Sequence, residues 1–176
     1  MYFSNFPLMG YDIKGDKSYK LVPDILRRVK LRANIRNGMF IFDNYDVKEG
    51  ETPETVAFKW FGDAEYHWII LMTNNITDRY YGWPITQPQF QVHLEDKYGI
   101  GSIDSVHHYE ISQTSGPTSS RDNSHLVEVN SDASGATAVT NREYEEREQD
   151  RLRQIRLLDP RYLNVFVSEF ENLVQE

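Results

Sequence analysis

Residues 45–83 read YDVKEGETPETVAFKWFGDAEYHWIILMTNNITDRYYGW, and this stretch decides the fold. It is the densest run of apolar and aromatic residues in the chain. Thr52 stands where a helix N-cap belongs, and Pro53 follows at the first helical position, where a missing N–H breaks no hydrogen bond. Gly62 suits a left-handed C-terminal cap. These signals predict a short helix between Pro53 and Gly62, with an apolar stripe of Val56, Ala57, Trp60 and Phe61.

A second helix is predicted directly after the first, with Asp63 as its cap. Its apolar residues fall on two stripes, with Tyr66, Ile69, Ile70 and Thr73 on one and Trp68, Leu71 and Met72 on the other. A helix that is apolar on both sides must be buried on both sides. Asn74 and Asn75 end it, because Asn tolerates the left-handed region of backbone space.

The order of elements in this stretch is a short strand, a Gly-Glu-Thr turn, two short helices, an Asn-Asn pair and a second strand. From Tyr45 to about Ile76 it resembles a LysM module, in which the two strands pair on one face of the helices. The residues that carry the resemblance are Tyr45, Val47, Gly50, Thr52, Val56, Ala57, Gly62, Ile69 and Asn75. It implies a groove for N-acetylglucosamine-containing glycans, formed by Gly50, Glu51, Thr52, Pro53, Asn74, Asn75 and Ile76. Fold alone does not establish that function.

The segment after the module, ITDRYYGWP at residues 76–84, is not a LysM feature. Together with WIILM at 68–72 and RLRQIR at 151–156, it resembles the small LysM-containing baseplate wedge proteins of T4-like contractile-tailed bacteriophages. The resemblance extends over most of the chain. It implies a structural virion protein of the tail baseplate, which clamps the wedge core bundle and helps to join adjacent wedges around the central hub. The partners that it implies are the wedge core bundle, the sheath-initiator subunit, the adjacent wedge and the hub.

The segments before the module have weaker patterns. The first twenty residues are aromatic without a sustained period, which indicates an extended arm that is either tucked onto its own domain or donated to a neighbouring subunit. Residues 25–32 place Ile25, Leu26 and Val29 on one face of a predicted basic helix. After the turn dipeptide Asn37-Gly38, residues 39–42 predict a short strand.

Beyond the module, Thr86 begins a helix with Phe90, Leu94 and Tyr98 as its buried stripe and Gly99 as its end. Residues 103–114 and 125–129 predict a β-hairpin with a long polar tip. A heavily charged helix follows over residues 142–152, and because it is polar nearly all round we expect it to be solvated or to pack against another chain. Residues 154–158 suit a short extended segment. The last helix has an apolar stripe of five residues: Leu163, Phe166, Val167, Phe170 and Val174. We favour docking of this stripe on its own domain over docking on a partner.

These elements predict an α+β fold in which a small LysM-like βααβ module is embedded in a single compact domain. Around the module we expect an extended N-terminal arm, a β-hairpin and C-terminal helices. The predicted regions are an arm with a basic helix at 1–44, the module at 45–83, a helix with the hairpin at 84–135, and a helical region at 136–176.

Composition excludes several classes of protein. The chain has no cysteine and therefore no disulfide framework or thiolate site. Its net charge of −8 argues against general nucleic-acid binding. The first 36 residues nevertheless hold eight basic and three acidic side chains. This uneven distribution indicates either a bipolar chain that attracts unlike-charged neighbours or a basic helix face exposed to solvent. No signal-peptide pattern or long apolar span is present, so we expect synthesis in the host cytoplasm and no membrane partner.

None of the spacings that carry catalysis appears, whether a nucleophile elbow, a zinc helix or a phosphate loop. His107 and His108 should face opposite sides of a strand and cannot easily chelate one ion together. Acid pairs such as Glu49 with Glu51 are explained by turns and caps. We therefore expect no enzymatic activity, no cofactor and no metal site.

Two hypotheses remain. The first is the structural wedge subunit, whose contact residues we predict as Phe3, Phe6, Tyr11, Arg27, Arg28, Tyr80, Tyr81 and Trp83, since aromatic residues and arginine are enriched at interfaces. For Tyr80, Tyr81 and Trp83, a hydrophobic lid over the module's own helices is an equal alternative. The second hypothesis is a peptidoglycan-binding module of a cell-wall lysis apparatus. Against it, such modules usually come as repeats or beside a catalytic domain.

Overall fold

The computed structural model describes residues 2–27, 29, 41–113 and 125–175, and the chain divides into two compact units. The first unit comprises residues 1–47, 51–82 and 155–176, and the second comprises 48–50 and 83–154. Helices and small sheets both contribute, which confirms the α+β class.

The regular elements follow in chain order. The strands are β1 Leu8–Tyr11, β2 Lys20–Pro23, β3 Phe42–Asp46, β4 Val106–Ser112, β5 Leu126–Val129, β6 Thr137–Thr140 and β7 Gln154–Leu158. The α-helices are α1 Pro53–Phe61, α2 His67–Thr73, α3 Gln87–Tyr98, α4 Asn141–Arg153 and α5 Leu163–Gln175. Short 3₁₀ helices occupy Tyr2–Asn5, Ala64–Tyr66, Ile100–Ser102 and Pro160–Tyr162.

The N-terminal segment is not an extended arm, so that prediction is wrong. A 3₁₀ turn leads into an antiparallel hairpin of β1 and β2, in register from Leu8 opposite Pro23 to Tyr11 opposite Lys20. The connection between the strands is held by the Asp12 carboxylate, which accepts three main-chain N–H groups, from Lys14 at 3.1 Å, Gly15 at 2.7 Å and Lys17 at 2.8 Å. One acidic side chain therefore organises a loop that shows no hydrophobic period.

The predicted basic helix at 25–32 is not formed at residues 25–27 and 29, the part of it that the structure describes. Residues 25 and 26 form a turn directly after β2. Residues 28 and 30–32 lie outside the described residues, as do 39 and 40 of the predicted strand at 39–42. The described strand here is β3, which begins at Phe42.

The capping signals of the central stretch are confirmed. Thr55 N–H donates to Thr52 Oγ1 at 3.3 Å, and Thr52 N–H donates to Thr55 Oγ1 at 2.8 Å, which forms a reciprocal capping box at the start of α1. Gly62 ends α1 in the left-handed region at φ 85°. Asp63 caps the short 3₁₀ turn that leads directly into α2. Asn75 takes φ 56°, the left-handed conformation predicted for the Asn-Asn pair.

The second strand predicted at Ile76 is absent. Residues 76–78 are irregular and residues 79–82 form a turn and a bend. Strand β3 pairs instead with β7, whose first residue, Gln154, lies 112 positions after Phe42. Asn74, at the end of α2, joins its side chain to the main chain of β7. Its Nδ2 donates to Arg156 O at 2.8 Å, and its Oδ1 accepts from Arg156 N–H at 2.8 Å. A distant segment thus occupies the position expected for an adjacent strand.

The core of the first unit explains why α2 is apolar on both sides. Trp68, Ile69 and Ile70 are buried, and Ile69 belongs to a cluster with the following buried residues: Phe6, Phe42, Trp68, Leu158, Phe170 and Val174. The Trp68 and Phe170 rings lie 4.5 Å apart, centroid to centroid. Since Phe170 and Val174 come from α5, the prediction that the last helix docks on its own domain is confirmed.

The second unit contains α3, α4 and a three-stranded antiparallel sheet in the order β5-β4-β6. Thr86 and Gln89 form a capping box, and Phe90 and Leu94 of α3 are buried with Ile103. The predicted helix and the β4–β5 hairpin are both confirmed. The third strand, β6, was not predicted. Most of the polar hairpin tip, residues 114–124, lies outside the described residues.

The charged helix is present as α4. The prediction that it is solvated or packs against another chain is corrected, because α4 packs within its own unit. Asn141 and Glu145 are buried. Glu145 contacts side chains of α3, and Arg147 contacts Glu110 of β4. Ion pairs fill the contact positions that apolar residues would fill in an ordinary amphipathic helix.

Candidate interaction surfaces

The N-terminal hairpin presents apolar side chains to solvent. In an antiparallel pair, residues opposite each other lie on the same face, so Leu8 shares a face with Pro23, and Leu21 with Gly10. Leu8 is 65% exposed and Leu21 74% exposed, whereas Met9 and Val22 on the other face are half-buried. One face is therefore partly covered, at Met9 and Val22, and the other faces water. The chain continues from this face into Ile25 and Leu26, which are also exposed. We call Leu8, Leu21, Pro23, Ile25 and Leu26 the hairpin surface.

The predicted contact residues near the N-terminus have different environments. Phe6 is buried in the core, while Phe3 and Tyr11 are each about half exposed. The Phe3 ring touches those of Tyr2 and Phe6 at centroid distances of 5.2 and 5.9 Å. The Arg27 guanidinium donates to Val174 O at 2.9 Å and pairs with Asp24. Arg28 lies outside the described residues.

A second exposed site is the loop of residues 76–82, which we call the tyrosine loop. Tyr80 is 82% exposed and Tyr81 is 85% exposed, so the alternative of a lid over the module's helices is wrong for both. The Asp78 carboxylate accepts from the main-chain N–H groups of Tyr80 at 2.8 Å and Tyr81 at 3.4 Å. Trp83, the third aromatic residue of this prediction, is buried and belongs to the second unit.

The residues of the implied glycan groove make bonds within the protein. Glu51 is buried, pairs with Lys59 at 2.6 Å and accepts from the Tyr45 hydroxyl at 2.9 Å. Burial and the Glu51 carboxylate raise the pKa of Tyr45 to about 12. Thr52 is used in the capping box, and Pro53 is buried.

The other groove residues are used in the same way. Asn74 is engaged with Arg156, and Ile76 N–H donates to Leu71 O at 2.8 Å. Gly50 and Asn75 have positive φ and shape their turns. A sugar site needs polar groups that remain free beside an apolar platform. The contacts of these residues within the protein do not favour a sugar site here.

Two buried carboxylates form ionic clusters in the second unit. Glu145 accepts from Lys97 Nζ at 2.6 Å and from the Tyr98 hydroxyl at 2.8 Å, and it lies 3.3 Å from His93 Nε2. Burial alone would raise the pKa of Glu145, but the hydrogen bonds from Lys97 and Tyr98 outweigh it, so this pKa is lowered. Sequence reasoning missed this cluster, although His93 and Lys97, four residues apart on α3, share a helix face.

The second cluster joins the sheet to α4. Arg147 donates to both carboxylate oxygens of Glu110, at 2.8 and 2.9 Å, and also to Glu143. These bonds hold the pKa of Glu110 below its ordinary value. A bidentate pair of this kind is strong and directional, which makes it suited to fixing one element against another.

His107 and His108 do not lie on opposite sides as predicted. The strand pairing shifts between Val106 and His108, and both rings reach Tyr144. His107 stacks on it at 4.1 Å between centroids, and His108 meets it edge-on at 6.1 Å. Within the described residues, no group of three or more His, Cys, Asp and Glu side chains is placed to hold a metal ion. In the same part of the chain, no helix has the length and hydropathy needed to cross a membrane.

Comparison with known proteins gives two findings. The family described as Base plate wedge protein 53 matches residues 3–116. The chain is also 25% identical over 190 residues to Baseplate wedge protein gp53 of Enterobacteria phage T4, an alignment that covers 100% of this chain and 97% of that protein.

Proposed function

Because the chain belongs to the family of base plate wedge proteins, structural components of the phage tail baseplate, we propose that it clamps the wedge core bundle and helps to join adjacent wedges around the hub. Membership in the family makes it a structural wedge protein located in the virion tail. The contacts with the core bundle, the sheath-initiator subunit, the adjacent wedge and the hub are the part that we propose.

The hairpin surface is the observation that carries the proposal. A two-stranded hairpin is marginally stable by itself, and here only one of its faces is partly covered, at Met9 and Val22. The opposite face exposes Leu8 and Leu21 side by side with Pro23, and two further exposed aliphatic residues, Ile25 and Leu26, follow closely in the chain. Contiguous apolar surface of this kind marks a site of protein association. We assign it to an apolar segment of the wedge core bundle.

The charge around the hairpin refines the expected partner. Lys14, Lys17 and Lys20 are exposed at its loop and on β2, and with Asp12 and Asp16 of the same loop they leave an excess of one positive charge. Charges at the rim of an interface act mainly on association rate and orientation. The segment that docks on the hairpin surface should therefore be apolar at its centre and acidic at its edge.

We also propose that the protein is not an enzyme. The buried carboxylates of Glu110 and Glu145 are held ionised by cationic partners, so their pKa values move away from neutral pH. A general acid or base works best with a pKa near the operating pH. Both clusters join secondary-structure elements to each other, which is a structural role.

The test is co-expression of the full chain with the other wedge subunits of the same phage, followed by size-exclusion chromatography. The wild-type chain should co-elute in a stoichiometric complex. Replacing Leu8 and Leu21 with Ser removes two apolar side chains, each worth roughly 1.5–3 kcal/mol when fully buried. Because they are 65% and 74% exposed before binding, the loss should be at least about 2 kcal/mol, which weakens binding by at least about 30-fold. Ile100→Ser, an exposed aliphatic residue in the second unit, is the matched control and should bind normally.

Two outcomes would contradict the proposal. If the wild-type chain elutes alone, the assembly role itself is wrong. If the double variant keeps its circular dichroism spectrum and still binds like the wild type, the hairpin surface is not the docking site.

A further inference from the structure

We infer that the tyrosine loop is a preformed anchor that inserts Tyr80 and Tyr81 into an apolar pocket of another protein in the same wedge. This inference rests on the proposed function but concerns a different surface from the hairpin. It predicts the chemistry of the receiving site, which has an apolar floor for two rings and hydrogen-bond acceptors at its rim for two phenol groups.

The loop is held in one shape by its own main chain. It begins with the hydrogen bond from Ile76 N–H to Leu71 O, and it closes with the bond from Gly82 N–H to Asp78 O, each 2.8 Å long. The Asp78 carboxylate binds the N–H groups of Tyr80 and Tyr81 in between. Arg79 forms an ion pair with Glu54 of α1, which ties the middle of the loop to a helix.

Gly82 shows how tightly the loop is folded. A Cβ atom at this position would lie 2.7 Å from Ile76 Cγ2 and 2.8 Å from Asp78 O, closer than real Cβ contacts allow. The two ends of the loop can approach each other only because residue 82 has no side chain. The main chain that carries the tyrosines is therefore ordered before any partner arrives.

This order favours tight binding. Tyr offers a large amphipathic surface with only two side-chain torsions to restrict, and a preorganised backbone lowers the entropy lost on association. Both rings are more than four-fifths exposed and lie directly after a charged pair that fixes the loop.

The neighbouring polar groups favour a protein over a glycan. A sugar stacked on a tyrosine ring needs hydrogen-bonding groups beside that ring to hold its hydroxyls. Here the carboxylate of Asp78 is engaged with main-chain N–H groups, and Arg79 and Glu54 are engaged with each other. A protein pocket needs no such help, because it supplies its own acceptors to the two phenol groups.

The experiment measures binding of the full-length chain to the purified wedge complex of the same phage assembled without it, for example by biolayer interferometry. Tyr80→Ala with Tyr81→Ala should raise Kd by about 30-fold or more, the loss typical of an interface hot spot. Asp78→Ala keeps both tyrosines but frees the loop, and it should raise Kd by about five-fold. Asp78→Asn keeps a side-chain oxygen that accepts the same bonds and should bind like the wild type. Tyr162→Ala, at an exposed tyrosine of the same unit, should also bind normally.

The outcomes separate this inference from the proposed function. Failure of the wild-type chain to bind the wedge complex would overturn both. Normal binding by a folded double tyrosine variant would overturn the anchor alone. An Asp78→Ala variant that binds like the wild type would overturn the preformed state of the loop. Binding of the wild type to chitin oligomers that is lost in the tyrosine variant, with wedge binding unchanged, would assign the loop to glycan instead.

Discussion

Asn74→Ala tests the contact that places β7 beside the two central helices. The substitution removes two hydrogen bonds to the main chain of Arg156, each 2.8 Å long, together with the bond from Asn74 Nδ2 to Ile70 O at 2.9 Å. A neutral hydrogen bond contributes about 1 kcal/mol net, so the loss of the two bonds to β7 should cost about 2 kcal/mol. The β-carbon remains, and no charge is introduced.

The assay is amide hydrogen exchange of the full-length chain, read at Arg156. A cost of about 2 kcal/mol corresponds to about 30-fold faster exchange if that amide exchanges through opening of β7. A local readout is preferable to a single melting temperature because the chain contains two compact units, and its unfolding need not be two-state. Asn172→Ala, at an exposed position of α5, is the matched control and should leave the exchange of Arg156 unchanged.

Asn74→Asp sharpens the test. The aspartate keeps one oxygen to accept from Arg156 N–H, but it places a second, negatively charged oxygen against the carbonyl of Arg156. At pH 7 it should therefore destabilise β7 at least as much as alanine does. If Asn74→Ala accelerates exchange by less than about three-fold, the reasoning that this amide positions β7 is refuted.

Two further predictions concern acid stability and a helix end. The pKa values of Glu110 and Glu145 are lowered in the folded state, so their contribution is present above the ordinary glutamate pKa and is lost as pH falls through the lowered values. Urea unfolding of the second unit should show this loss of stability between pH 7 and pH 3. The stability of the Glu145→Gln variant should depend less on pH than that of the wild type, and an equal dependence would contradict the stabilising role of Glu145. Gly62→Ala places a side chain at φ 85° and should destabilise the first unit by about 1–2 kcal/mol, measured by urea unfolding, whereas an unchanged midpoint would show that the cap can relax.

Local chemistry in the sequence predicted much of the first unit. Thr52 and Gly62 set the ends of α1, and the two apolar stripes of α2 correctly required burial on both sides. Such signals work because a cap or a helical stripe involves residues within one or two turns of each other. The final helix was predictable for the same reason. The β4–β5 hairpin of the second unit was predictable because its two extended segments follow each other in the chain.

The candidate site was predicted less completely. Tyr80 and Tyr81 were named from residue type, and the structure adds the Asp78 and Gly82 contacts that shape their loop. The hairpin surface was missed because alternation of apolar and polar residues is the signal for a strand, and β1 and β2 carry apolar residues on both faces. His107 and His108 were misplaced because a strand irregularity cannot be read from residue spacing.

The sequence by itself determined where the central helices begin and end, which faces they bury and that the family is that of a baseplate wedge protein. Only the tertiary structure decided that β3 pairs with β7 and that α4 packs through ion pairs. Strand pairing depends on which distant segment closes against the core, and no local pattern records that choice. A charged helix has the same sequence whether its carboxylates face water or meet Lys97 and Arg147, so three-dimensional contact alone distinguishes the two.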